Sequence, residues 1–318
     1  MNSSAFRTII LALGIACVLR DSELSAQPVL TTVKLGIVPA VVSVQAYVAQ
    51  DFGIFKKHGL DVQFFPTTAG VNTISALVGG SLDLAFGDAV AVSSARVHNI
   101  PLKFMAPGIV DTTRVPVLAI LVKPNGSIHD VKDLNGKTIA VNSIRSMSTV
   151  MTSAWVDGNG GDAKTLKFVE LPFPQVAAAI ANGTVDAGLV PEPFLSSALE
   201  GGLRAMPFEK GAVHDYMVSG WIATPAWLAA NPDTAARFIA AMKEATEFAN
   251  KQPVPPDVAD VLTKYTKIPA VAITHMKFPD LFGTAMDVHY VQRVVDATAK
   301  YGVIDQPFPA ADIVYQPK

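Results

Sequence analysis

The chain has one cysteine, Cys17, among 318 residues, so no disulfide can form within it. Charge is sparse. Asp, Glu, Lys and Arg make up 16% of the residues, the net charge is −2, and no block of basic residues occurs. Nucleic-acid recognition needs a clustered positive face, so that class of partner is excluded. The six histidines, at 58, 98, 129, 214, 275 and 289, never stand four apart and include no H-E-x-x-H. No metal site is therefore expected. G-x-S-x-G and the phosphate-binding P-loop are missing as well. No cofactor is implied.

Long apolar runs are also few. One opens the chain: Arg7, then Thr8 to Leu19, then polar Arg20-Asp21-Ser22-Glu23, then Leu24-Ser25-Ala26. A charged start, a short apolar stretch and a small residue at the end read as an export signal over residues 1–26. The run is too short for a stable membrane span. Lipidation of Cys17 is the alternative, and Gly14 argues against it. The expectation is an exported, cysteine-free, monomeric protein in the periplasm.

What the chain does have is apolar mass. Half of its residues are hydrophobic, enough for large cores, and the length suits two domains. One phrase also occurs twice. Ala76-Leu77-Val78-Gly79-Gly80-Ser81-Leu82-Asp83 matches Ala179-Ile180-Ala181-Asn182-Gly183-Thr184-Val185-Asp186 without a gap. Each copy reads as a helix end, a glycine turn and a buried strand. The strands are predicted at Leu82–Phe86 and Val185–Val190. They end near Gly87-Asp88 and Pro191-Glu192.

Strand and helix patterns alternate along the rest, which predicts parallel sheets wrapped by helices. Two longer apolar runs, Val115–Val122 and Tyr216–Thr224, read as strands that cross between domains. The fold class is thus α/β, with two doubly wound domains and a two-strand hinge. Domain one is assigned to 30–112 plus 217–318, and domain two to 113–216. Arg114, at the first crossing, is read as a hinge salt bridge.

Four stretches resemble one family, in order. Ala49-Gln50-Asp51-Phe52-Gly53-Ile54-Phe55-Lys56-Lys57-His58-Gly59-Leu60-Asp61-Val62 is similar to its A-x-x-x-G-x-F-x-x-x-G-L-x-V opening. The turn before Asp83 resembles its G-x-x-D. Asp133-Leu134-Asn135-Gly136-Lys137-Thr138-Ile139-Ala140 resembles its D-L-x-G-K-x-I, and Pro191-Glu192-Pro193-Phe194 its E-P-[YF]. The family is that of ABC-transporter solute-binding proteins for taurine, alkanesulfonates, nitrate and thiamine-pyrimidine precursors. The resemblance implies a type II periplasmic-binding fold that closes on a small solute and delivers it to a membrane permease. An enzyme branch, a pyrimidine synthase that consumes its own histidine, and a sensor-input module are the alternatives.

The candidate ligand residues follow the predicted strand ends. Ser143, Arg145, Ser146, Ser148 and Thr149 lie between a strand and a helix, where hydroxyls, free N–H groups and a guanidinium suit an anion. The family commonly carries a Gly-Ser/Thr turn here, and this chain has Arg145-Ser146 where glycine is usual. Gly87, Asp88 and Glu192 end the repeated strands and suit an amine or ring N–H. Val38, Pro39 and Gln45 border the first strand-to-helix turn, and Trp221 on the second crossing is placed to stack on a ring. A sulfonate or pyrimidine-type solute is the expectation.

Overall fold

The computed structural model describes residues 29–67, 71–111, 118–192, 194–206, 215–276 and 282–317. The predicted export segment 1–26, Arg114 and Pro193 lie outside them. Four strands come first: β1 (Thr31–Ile37), β2 (Leu60–Pro66), β3 (Leu84–Asp88) and β4 (Lys103–Pro107). The short β5 (Val110–Asp111) follows. Next come β6 (Leu118–Val122), β7 (Thr138–Val141), β8 (Lys167–Glu170), β9 (Ala187–Pro191) and β10 (Arg204–Met206). The last two are β11 (Tyr216–Met217) and β12 (Ser219–Ala223).

Two five-stranded sheets result. Sheet one runs β2-β1-β3-β12-β4 and sheet two runs β8-β7-β9-β6-β10. They correspond in order and in direction. β1 is parallel to β2 and β3, as β7 is to β8 and β9. The fourth strand is antiparallel in both, β12 against β3 and β6 against β9. Each of these fourth strands enters from a crossing between the halves.

Both faces of each sheet are covered. In sheet one, Leu84 and Trp221 join one apolar cluster while their neighbours Ala85 and Ile222 join another. In sheet two, Ile120 and Leu189 face one cluster, Leu121 and Val190 the other. The period of two puts neighbours on opposite faces, and burial of both explains the unbroken apolar runs.

The repeated phrase does the same structural work twice. Gly80 and Gly183 take positive φ, 72° and 82°, which a Cβ would resist. The amides of Ser81 and Thr184 return to the carbonyls of Ala76 and Ala179, each at 2.9 Å. Asp83 Oδ2 accepts the Lys34 N–H at 2.8 Å, and Asp186 Oδ2 accepts the Thr138 N–H at 2.8 Å. Each Asp also donates its own N–H to the same partner residue's carbonyl, at 2.9 and 3.0 Å. Both carboxylates are thereby spent before the strand begins. The amides of Leu82 and Val185 still turn back to Ala76 and Ala179, so the strands start two residues later than the apolar pattern suggests, at Leu84 and Ala187.

The second crossing is not one strand. Val218 separates β11 from β12 because its N–H goes to Ile109 O at 2.9 Å and its carbonyl takes the Ala89 N–H at 3.1 Å. β11 pairs with β5 in a two-stranded antiparallel ribbon, Tyr216 opposite Asp111 and Met217 opposite Val110. β12 then enters sheet one with Ser219 opposite Asp88, at the carboxyl end of β3. β6 enters sheet two with Leu118 opposite Pro191, at the carboxyl end of β9. Both sheets are therefore joined at their carboxyl edges, where open α/β sheets place their ligands.

Candidate functional site

The carboxyl edge of sheet one is formed by the ends of β1, β2 and β3. Asp88, last in β3, is half-buried and caps the helix Ala89–Val97: its Oδ1 accepts the Ala91 N–H at 2.8 Å. Burial raises its pKa above the ordinary carboxylate value, and the N–H donors of Ala91 and Val90 oppose the shift. Gly87 beside it faces Ile222, whose Cδ1 lies 2.7 Å from where a Cβ would sit. A side chain there would require the Ile222 side chain to shift. After β1, Val38 is half-buried and Pro39 exposed. The Val38 carbonyl accepts from Ser43 Oγ at 2.7 Å and Tyr47 OH at 3.1 Å, which fixes this turn over the strand ends.

The carboxyl edge of sheet two mirrors this one. Glu192 follows β9 as Asp88 ends β3. It caps the helix Phe194–Glu200, accepting the Ser196 N–H at 3.1 Å and the Ser196 hydroxyl at 2.9 Å. Two acids at equivalent strand ends thus hold two equivalent helix starts.

Gln45 and Trp221 are placed differently from the expectation. Both are 0% exposed and belong to the interior of sheet one's half. Trp221 Nε1 donates to Gln45 Oε1 at 3.1 Å, and Gln45 Nε2 donates to Thr246 Oγ1 at 2.6 Å. Phe86 and Phe238 pack edge-on against the indole. Neither side chain has a polar group or a ring face open to a solute. An indole N–H buried in an apolar core must find an acceptor, and Gln45 supplies it.

The turn between β7 and the helix Met147–Gly158 also departs from the reading of an open anion site. Its side-chain hydroxyls all have partners within the protein. Ser143 Oγ lies 3.3 Å from Glu170 Oε1, and Ile144 N–H donates to that oxygen at 2.7 Å. Ser146 Oγ donates to Ser143 O at 2.6 Å, and Ser148 Oγ donates to Asn142. Thr149 Oγ1 accepts the Ser146 N–H at 2.9 Å and donates to Ser146 O at 2.8 Å, closing a local cap. Arg145 sits at φ +59°, the left-handed region, and its guanidinium donates to Val303 O at 2.7 Å. That carbonyl belongs to the other half of the molecule.

Arg145 has company along the same contact. Met147, Val150 and Met151 join the apolar cluster that holds Val90, Val294 and Met217. At the far end of the helix, Tyr301 OH donates to Asp157 Oδ2 at 2.9 Å, with Lys300 Nζ at 3.7 Å. Burial and the Asp157 acceptor push the Tyr301 pKa upward. Glu170, Asp157 and Tyr301 carry no motif and escaped the sequence reading. Glu170 was findable in principle, as the last residue of a strand parallel to β7 and hence on the same edge.

These features define a two-lobed α/β protein with the type II periplasmic-binding fold. The aliphatic sulphonate-binding protein SsuA of Escherichia coli matches it with a TM-score of 0.74 over 90% of this chain and 92% of that one, at 20% identity. The NMT1/THI5-like family model matches residues 41–255, and the chain belongs to that family. A 4-amino-5-hydroxymethyl-2-methylpyrimidine phosphate synthase of Aspergillus parasiticus is 24% identical over 65% of the chain and 63% of its own length. A formylaminopyrimidine-binding protein of Halalkalibacterium halodurans is 24% identical over 59% of the chain and 56% of its own length. The chain thus spans less than two thirds of either relative. Among the described residues, no helix is long and apolar enough to cross a membrane.

Proposed function

We propose that this chain is the extracytoplasmic solute-binding subunit of an ABC importer. It captures a small polar organic solute between the carboxyl edges of its two sheets and presents it to a membrane permease. The observation that carries the reading is the equivalence of Asp88 and Glu192, one acid at the end of the central parallel strand of each sheet. The crossings join the sheets at those same edges, so the two acids stand on the two walls of one cleft. Residues 30–112 with 217–318 are one lobe, residues 113–216 the other, and the β5–β11 ribbon lies at the hinge. Residues 1–26 direct export, and the subunit works as a monomer in the periplasm. Sulfonate and pyrimidine-type solutes are the classes that the relatives' names support.

An enzymatic reading is favoured by the synthase relative. Of the six histidines, His58, His98 and His129 lie at the amino edges of the sheets, ahead of β2 and β4 and after β6, which leaves His214, His275 and His289 as the ones such a reaction could use. A histidine consumed in a cleft reaction belongs at the opposite edge. The deciding experiment is a thermal-shift and calorimetric screen of the mature chain against sulfonates, nitrate, aminopyrimidines and small amines. One class raises the melting temperature and binds at one site per chain. A flat response across all classes ends the binding reading, and loss of histidine mass on turnover would replace it with the enzyme.

A further inference from the structure

The turn that follows β7 already holds an anion, and the chain itself supplies it. Glu170 closes β8 and lies level with Val141 in the parallel pair. Its Oε1 takes the Ile144 N–H at 2.7 Å, and Ser143 Oγ is 3.3 Å away. A sulfonate or nitrate at this turn would compete with Glu170 for that amide and that hydroxyl. The cation expected to assist it, Arg145, is turned away to Val303 O. The remaining hydroxyls of the turn are bonded to Asn142, Ser143 and Ser146. The two strand-end acids, Asp88 and Glu192, supply no positive charge to neutralise an anion.

We propose that Glu170 is a specificity-determining residue that closes this turn to anions and leaves the cleft to neutral or positively charged solutes bearing N–H donors. The inference rests on the solute lying between the two carboxyl edges, as proposed above. Its physical basis is occupancy plus charge. A carboxylate on a backbone N–H satisfies the donor that an anionic solute would use, and a second anion beside it is repelled. Glu170 is exposed, so salt screens the repulsion and the selectivity is strongest at low ionic strength.

The test uses the full mature chain with methanesulfonate as the anionic probe and 4-aminopyrimidine as the N–H-bearing probe, followed by calorimetry. Glu170→Gln keeps an acceptor oxygen for Ile144 N–H and removes the charge, so the turn stays folded. Wild type binds the aminopyrimidine and not the sulfonate. Glu170→Gln and Glu170→Ala gain methanesulfonate binding by about tenfold or more, Glu170→Asp restores its exclusion, and the gain shrinks as salt rises. Tight methanesulfonate binding by wild type overturns the role of Glu170 while leaving the solute-binding function intact. Variants whose melting temperature changes with no change in anion binding show a merely structural contact and overturn it too. Failure of wild type and every variant to bind either probe, or any member of the wider panel, rejects the solute-binding reading itself.

Discussion

Asp83 and Asp186 occupy the same place in the two halves, yet Asp83 carries a second bond that has no counterpart at Asp186 among the described residues. Each accepts a backbone N–H of a neighbouring strand at 2.8 Å, from Lys34 and Thr138. Asp83 Oδ1 also accepts Trp227 Nε1 at 3.0 Å, tying the helix Pro225–Ala230 to sheet one. Asp83→Ala should therefore destabilise by about 2–3 kcal/mol and Asp186→Ala by about 1 kcal/mol, since charged hydrogen bonds are worth more and one fewer is lost. Urea denaturation of the two variants measures the difference. Equal losses would mean that the Trp227 bond contributes nothing.

Arg145 gives a test in which glycine should be better than alanine. At φ +59° a non-glycine residue is held in a region that costs it about 1 kcal/mol. Arg145→Ala loses the bond to Val303 and keeps the strain. Arg145→Gly loses the bond and sheds the strain. The glycine variant should stay within about 0.5 kcal/mol of wild type and the alanine variant should fall about 1–2 kcal/mol below it. Both should loosen the contact between the halves. Because Cys17 is the one cysteine, spin labels on one introduced cysteine per lobe of a chain started at residue 27 can read the widened distance distribution directly.

Gln45 and Trp221 form a buried pair whose loss is felt in folding. Gln45→Leu strands the indole N–H in an apolar interior. The expected cost is about 2–3 kcal/mol, from an unsatisfied buried donor and the broken link to Thr246. In a Trp221→Phe background the same change should cost less, because no donor is left orphaned. A double-mutant cycle in denaturant checks this. Additive losses would show that the bond is not a coupled one.

Asp88 supplies the pH test. Its folded-state pKa is raised by burial, so ionising it works against the fold. The penalty is absent below the unfolded-state value of about 3.9 and grows as pH climbs through the folded value. Asn caps helices as well as Asp does. Asp88→Asn should then match wild type at pH 3.5 and equal or exceed it at pH 7, read as denaturation midpoints. A variant that loses ground to wild type on going from pH 3.5 to 7 would reverse the sign of the argument.

The scaffold was legible because it rests on periodic and local signals. Gly80 and Gly183, Asp83 and Asp186, and the alternating apolar runs each reflect a backbone need that few residue types meet. The site was less so, because its bonds join residues far apart in the chain. Trp221 and Gln45 look like ligand contacts when read singly, and only the packing of the helix Val44–Asp51 against sheet one shows that they satisfy each other. Arg145 looks like an anion anchor in the sequence, and only the fold shows its guanidinium on the Val303 carbonyl. Glu170 carries no motif at all, and its role depends on which strand lies next to β7.

The position of β12 has a consequence for how the molecule comes into being. Sheet one has a gap between β3 and β4 that only residues 219–223 can fill. Sheet two is complete by residue 206. A chain emerging from its amino end therefore carries its first half as two unjoined pieces, with β3 and β4 exposing open edges, while the second half closes on itself. The lobe begun first is the lobe finished last. Until Ser219 reaches Asp88, sheet two is whole and sheet one is not.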